Sequence, residues 1–123
     1  MKPTELSIII PVYNEEENLP RVQEAFEQYF KIAKIASKVI FVNDGSKDNS
    51  LQIVRAINKA NPLFTYISFE ENSGLSAAIK AGFDYADTKW VGYIDADLQT
   101  TPEDFNILAD YCNEYDLVTG VRL

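Results

Sequence analysis

The sequence predicts an α/β fold: a mainly parallel sheet with helices on both faces. Two observations predict it. Short apolar runs of strand length alternate with longer stretches whose apolar residues recur at helical spacing. The runs themselves are close to continuously apolar, as strands covered on both faces read. Strand and helix alternating in this way give parallel strands joined by helical crossovers.

The elements follow in order. Leu6 to Val12 is the first apolar strand. From Leu19 the pattern switches to helical spacing through Val22, Phe26, Tyr29, Phe30 and Ala33, with Asn18 placed to cap and Pro20 tolerated in the first turn. Val39 to Val42 is a second strand, closed by Asn43-Asp44-Gly45-Ser46. Leu51, Val54 and Ile57 lie along one face of a second helix that ends near Asn61-Pro62. Phe64 to Phe69, β-branched and aromatic, is a third strand. Leu75, Ala78, Ile79, Gly82, Phe83 and Ala86 form a stripe at helical period. Trp90 to Ile94 is a fourth strand running into Asp95-Ala96-Asp97. Thr101-Pro102-Glu103-Asp104 carries helix-start signals ahead of Phe105, Leu108, Ala109 and Cys112. Leu117 to Val121 begins a fifth strand. A chain that stops there reads as the front part of a longer domain, and its exposed last edge offers a second copy a place to pair as a homodimer.

At 123 residues the chain has the size of one domain. The single Cys112 excludes a disulfide framework and fits a reducing, cytoplasmic setting. No apolar run approaches the ~20 residues that span a bilayer, so the segment reads as soluble. With 11 basic against 19 acidic residues the net charge is −8, a poor match for a nucleic-acid surface. With no His and one Cys, zinc sites of the usual kind are excluded, and any metal must be held by oxygen, as magnesium, manganese or calcium are.

Ligands of open parallel sheets bind beyond the carboxyl ends of the strands. Those ends read Tyr13-Asn14-Glu15, Asn43-Asp44-Gly45-Ser46, Glu71-Asn72-Ser73-Gly74 and Asp95-Ala96-Asp97, all expected on one rim. Carboxylates crowded there are costly unless something positive enters, and a divalent cation answers that. Asp95 and Asp97, leaving their strand together, can share one metal that also grips a diphosphate; a bare Asp-x-Asp reads more readily as two solvated acids, and the Leu98-Gln99 that follows narrows the match. Asp44-Gly45 also makes an ordinary turn, and Ser46 an ordinary helix cap. The Asp44 carboxylate can instead accept the ring N–H of a base. Gly74 either starts a helix or lets the backbone approach a phosphate. Tyr13 either packs or stacks against a base. Pro11-Val12-Tyr13-Asn14-Glu15 occupies the first turn, so neither a dinucleotide fingerprint nor a P-loop is present, and without His no Ser-His-Asp triad exists.

Taken together, Pro11-Val12-Tyr13-Asn14-Glu15, Val42-Asn43-Asp44-Gly45-Ser46 and Asp95-Ala96-Asp97-Leu98-Gln99 resemble the family-2 glycosyltransferases of the GT-A (Rossmann-like) fold. The ending Asp-x-Asp-Leu-Gln, with Pro102-Glu103 after it and Gly120-Val121-Arg122 further on, is closest to the branch of dolichol-phosphate mannosyltransferase and bacterial polyprenyl-phosphate sugar transferases. The resemblance runs from about Leu6 to Arg122 and implies that residues 1–123 are the nucleotide-sugar-binding part of an inverting glycosyltransferase domain. It implies that Pro11, Tyr13, Glu15, Asp44, Gly74 and Asp95 bind the nucleotide, with Asp44 accepting from the base and Asp95 facing the ribose and metal. It further implies that Asp97 and Gln99 ligate Mg²⁺ or Mn²⁺ on the donor diphosphate, and that Asp97 and Arg122 are catalytic.

The expected partners are a nucleoside diphosphate sugar, based on UDP or GDP, and a lipid-phosphate or glycan acceptor. The expected setting is the cytoplasmic face of a membrane, touched only by sequence beyond this segment. A phosphate acceptor is already anionic and needs no general base, whereas a hydroxyl acceptor would. Leu75-Ser76 and Thr100-Thr101 depart from the branch's usual residues and leave the sugar, nucleotide and acceptor open. Two other readings remain: a donor-binding fragment that transfers nothing, and a phosphatase of the haloacid-dehalogenase type with Asp95 as nucleophile.

Overall fold

The computed structural model describes residues 5–96. The expected helix after Thr101 and strand from Leu117 lie outside these residues. In order, the elements are β1 (Leu6–Val12), α1 (Leu19–Ile32), β2 (Ser37–Asp44), α2 (Ser50–Ala60), β3 (Phe64–Phe69), α3 (Leu75–Tyr85) and β4 (Trp90–Tyr93). All pairings are parallel, and the strand order is β3-β2-β1-β4.

The order dictates where the helices lie. From β1 to β2 to β3 the chain steps in one direction across the sheet, so right-handed crossovers put α1 and α2 on one face. From β3 it returns past β2 and β1 to reach β4, which puts α3 on the other face. Side-chain alternation agrees: Ile8, Ile10, Val12, Val39 and Phe41 pack with Phe26, Tyr29, Val54 and Ile57, whereas Ile9, Ile40 and Val42 pack with Ala78 of α3.

The α1–α2 face is filled by large rings. Phe41 stacks on Phe64 at 5.7 Å, Phe30 meets Phe64 edge-on at 5.3 Å, and Phe26 meets Tyr29 edge-on at 6.1 Å. The Tyr29 hydroxyl is buried and satisfied by Ser37 Oγ at 3.2 Å. On the other face α3 lies close to the sheet at Gly82. A Cβ there would come within 2.5 Å of Ile9 Cγ2, a distance real Cβ atoms do not adopt.

Two local expectations change. β2 runs from Ser37 to Asp44 rather than stopping at Val42, because Asn43 and Asp44 still pair with Ser68 and Phe69 of β3. Polar side chains end an apolar run without ending the backbone ladder. Asn18 stands at the start of α1 but makes no side-chain cap; its amide instead donates to Glu15 Oε1 at 3.4 Å.

Candidate functional site

The chain changes direction between β1 and β4, so their carboxyl ends diverge and leave a crevice, the switch point at which open α/β sheets bind ligands. A cleft of about 490 Å³ opens there, within the usual size of small-molecule sites. The end of β1 contributes Pro11, Tyr13 and Glu15, and the end of β2 contributes Asp44. The turn before α3 adds Asn72, Gly74 and Leu75, and β4 closes the far side with Asp95 and Ala96. The structure thus brings together Pro11, Tyr13, Glu15, Asp44, Gly74 and Asp95 around one cavity. Asp97, Gln99 and Arg122 lie outside the described residues.

Three rim loops are bonded to one another rather than merely adjacent. Asn14 takes the left-handed conformation (φ 54°), which Asn tolerates better than most side chains. Its N–H donates to Ser46 Oγ at 3.0 Å, and its side-chain oxygen accepts the Lys47 N–H at 2.8 Å. The next two amides also cross over, Glu15 N–H to Ser50 Oγ at 2.9 Å and Glu16 N–H to Asp48 Oδ2 at 3.2 Å. Ser46 therefore joins two loops; it does not cap α2. Asp48 performs that capping instead, its Oδ1 accepting the Ser50 N–H at 2.9 Å. Burial works to raise the Asp48 pKa, but the hydrogen bonds from Ser50 and Glu16 outweigh it and leave the carboxyl below its ordinary value.

Asp44 makes the second join. It is 4% exposed. Its Oδ1 accepts the Ser73 N–H at 2.6 Å, and its Oδ2 accepts the Gly74 N–H at 3.0 Å and the Asn72 amide at 3.1 Å. The same Asn72 amide reaches the Asp44 carbonyl at 3.2 Å. Gly45 is what lets the two loops meet. Its φ is +67°, and a Cβ there would lie 2.3 Å from the Asn72 nitrogen. Gly74 has a φ of +99° with open space where a Cβ would stand, so backbone conformation alone calls for glycine.

Asn72, Leu75 and Ala96 also line the cleft and were not among the expected site residues; nor was Asp48, which braces it. Asn72 and Asp48 carried a readable signal, a polar side chain just before a helix, whereas Leu75 and Ala96 carried none. On the β4 side the half-buried Asp95 supplies a hard oxygen donor, and among the described residues no His or Cys lines the cleft. That donor chemistry suits Mg²⁺ or Mn²⁺ rather than a softer metal. Among the described residues no group of three or more potential ligands is gathered to hold an ion. Nor is any helix among them long and apolar enough to cross a membrane.

An open parallel sheet with a cleft at its switch point, between β1 and β4, has the architecture of α/β proteins that bind ligands there. Residues 7–123 match Glycosyl transferase family 2. The chain belongs to that family, and its fold is the GT-A fold. It is similar to an undecaprenyl-phosphate 4-deoxy-4-formamido-L-arabinose transferase of Yersinia pestis, 38% identical over 119 residues, covering 95% of this chain and 36% of that protein. Two solved structures share the fold. One is S. aureus TarS 1–349 in complex with UDP-GlcNAc, with a TM-score of 0.74 and 23% identity over 89% of this chain and 31% of that one. The other is the Pyrobaculum calidifontis mannosyltransferase PcManGT in complex with GDP-Man and Mn²⁺, with a TM-score of 0.70 and 20% identity over 86% of this chain and 31% of that one. The chain spans little more than a third of the length of the curated relatives it matches.

Proposed function

We propose that this chain forms the donor-binding part of an inverting glycosyltransferase that moves a sugar from a nucleoside diphosphate sugar to a polyprenyl phosphate. One observation carries the reading: a family-2 chain places its motif residues Pro11, Tyr13, Glu15, Asp44, Gly74 and Asp95 around a single cleft. In this reading Tyr13, 44% exposed at the cleft, offers a ring face to the base. Asp44 accepts the base N–H, and the backbone around Gly74 is open to a phosphate. Asp95 faces the ribose. Arg122 offsets negative charge on the departing diphosphate. The whole protein works at the cytoplasmic face of a membrane, where a lipid phosphate, already an anion, attacks without a general base. The transferase of Yersinia pestis named above, with its undecaprenyl-phosphate acceptor, supports that acceptor class.

Asp97 and Gln99, with Asp95 beside them, would hold Mg²⁺ or Mn²⁺. The PcManGT complex with Mn²⁺ supports a divalent ion here. When bound, the ion supplies Lewis-acid stabilisation of the leaving diphosphate.

The test is calorimetry on the chain with UDP- and GDP-sugars, with and without a chelator, followed by transfer to a lipid phosphate by the full-length protein. The reading expects at least one nucleotide sugar to bind and the affinity to fall with chelator and in Asp97→Ala. Absence of binding by every nucleotide sugar would defeat the reading. Release of inorganic phosphate from simple phosphomonoesters would point to the phosphatase alternative. Undiminished affinity in Asp97→Ala would remove the metal role alone.

A further inference from the structure

We propose that Ser50 and Asp48 are positioning residues for the donor cleft: without touching the donor, they set the turn after β1 that carries Tyr13 and Glu15. The inference rests on the proposed donor site and adds to it the part of the chain that holds one wall in place. Tyr13 and Glu15 line the cleft, whereas neither Ser50 nor Asp48 does.

The turn needs holding. Asn14 stands in the left-handed region (φ 54°), where most side chains are strained. Tyr13 beside it is 44% exposed, so its ring is aimed by the backbone beneath it more than by packing around it. What fixes that backbone lies 32 to 35 residues further along the chain. Three successive N–H groups, those of Asn14, Glu15 and Glu16, donate in turn to Ser46 Oγ, Ser50 Oγ and Asp48 Oδ2. A row of amides at a strand end can hold a phosphate in an α/β protein. Here the row is spent inside the chain, so the turn offers the cleft side chains and not an anion cradle.

The three bonds are not equivalent. Asn14 is exposed and Ser46 half-buried, so water can take over if their bond is lost. Ser50 is fully buried, in a place closed to water. Removing its hydroxyl leaves the Glu15 N–H without a partner, and an unmet donor of this kind is costly. Glu15 is also the anchor of the turn, because its carbonyl accepts the Asn18 and Leu19 N–H groups at 3.0 Å where α1 begins. It is thus held through both its N–H and its carbonyl.

Asp48 acts on the turn twice. Its Oδ2 accepts the Glu16 N–H directly. Its carboxylate also accepts the Ser50 hydroxyl hydrogen, which leaves the Ser50 lone pairs turned to the Glu15 N–H. Without that partner the hydroxyl would be free to rotate.

Calorimetry on the full chain with UDP and with GDP tests this, using whichever binds the unaltered chain more tightly. Ser50→Ala is expected to weaken binding about tenfold, since the donor must then order the turn as it binds. Ser50→Thr keeps the hydroxyl and should restore most of the affinity. A merely stabilising role would lower the urea midpoint of Ser50→Ala and leave the affinity of its folded fraction unchanged. In a Tyr13→Ala background Ser50→Ala should cost less than it does alone, because the ring that the turn aims is already gone. Asp48→Asn should weaken binding in the same direction as Ser50→Ala. Unchanged affinity in folded Ser50→Ala, a loss that Ser50→Thr does not relieve, or a loss additive with that of Tyr13→Ala overturns the role of Ser50. Unchanged affinity in Asp48→Asn overturns the role of Asp48. Each of these results leaves the donor site standing. Failure of both nucleotides to bind the unaltered chain defeats the donor site and the inference with it. Should Ser50→Ala not fold, Asp48→Asn, which keeps the shape of the cap, carries the test.

Discussion

The two faces of the sheet solve the same packing problem in opposite ways. On the α1–α2 face, Phe26, Tyr29, Phe41 and Phe64 are fully buried and hold the helices off the strands on a cushion of rings. On the α3 face the cushion is missing, and Gly82 lets the helix backbone settle almost directly on Ile9. The helix starts differ in the same sense. α2 is capped locally, by Asp48 two residues before Ser50. α3 is held from afar, the amides just ahead of it donating to Asp44 on β2. The difference teaches which face is tied to the site. The thick face supplies most of the buried apolar area and so most of the stability, because that stabilisation scales with apolar surface removed from water. The thin face fixes the position of α3, and the start of α3 forms a wall of the cleft.

The largest expected effect tests the thick face. Phe26→Ala removes a fully buried ring that touches Tyr29 and Phe30, and should cost about 3–5 kcal/mol. Urea denaturation should show a lower midpoint at unchanged slope. Nucleotide affinity of the fraction that stays folded should change little, because α1 reaches the cleft only through the loop before it. A large loss of affinity in folded Phe26→Ala would mean that the two faces are not separable.

The next effect belongs to the thin face. Gly82→Ala gains ~1 kcal/mol of helix propensity, yet the new methyl would collide with Ile9 Cγ2 and Cδ1. Overpacking of this kind costs ~1–3 kcal/mol, so the net change should be destabilising. The double variant with Ile9→Ala makes room for the methyl, so its loss should be smaller than the sum of the two single losses. Additive losses would show that α3 moves away from the sheet at no cost. Here affinity should fall along with stability, since moving α3 moves Gly74 and Leu75.

Much of this frame was legible in the sequence, and the reasons differ from element to element. β3 was read at its observed bounds because its apolar run and its backbone pairing coincide. β2 was read short because pairing continues through Asn43 and Asp44 after the apolar signal stops. All six expected nucleotide residues among the described positions line one cleft, because each follows a strand and parallel strands end on one rim. What a sequence could not convey was how those loops bond to each other. Nothing in the local pattern says that Asp44 reaches across to Ser73, or that Ser46 accepts from Asn14 rather than capping α2. Such partners are set by strand order, and the order β3-β2-β1-β4 is not written in any single segment.

The smallest effect concerns the local cap on the thick face and is read in the pH dependence of stability. Asp48 keeps its charge to lower pH in the folded chain than the ordinary carboxylate value of 3.8, because the bonds from Ser50 and Glu16 outweigh its burial. A folded pKa below the unfolded one stabilises the fold above the unfolded value, and that contribution is lost as pH falls through 3.8 and on past the folded value. Asp48→Asn keeps the shape and one acceptor but cannot ionise. At pH 7 it should therefore be less stable by no more than about 1 kcal/mol, the scale of a capping interaction. The difference should shrink as pH falls below 3.8, and the two proteins should converge once the pH is below the folded value. Asp87 complicates the acid limb, since its side-chain bond and charge pairing with Lys38 lower its pKa too. That pair lies on the surface at 2.6 Å, where added salt screens it more than it screens the Asp48 hydrogen bonds. Urea titrations from pH 2.5 to 7 in high salt should thus leave Asp48 as the larger of the two contributions. A difference between Asp48→Asn and the unaltered chain that stays constant across that range would show that α2 does not depend on the charge of its cap.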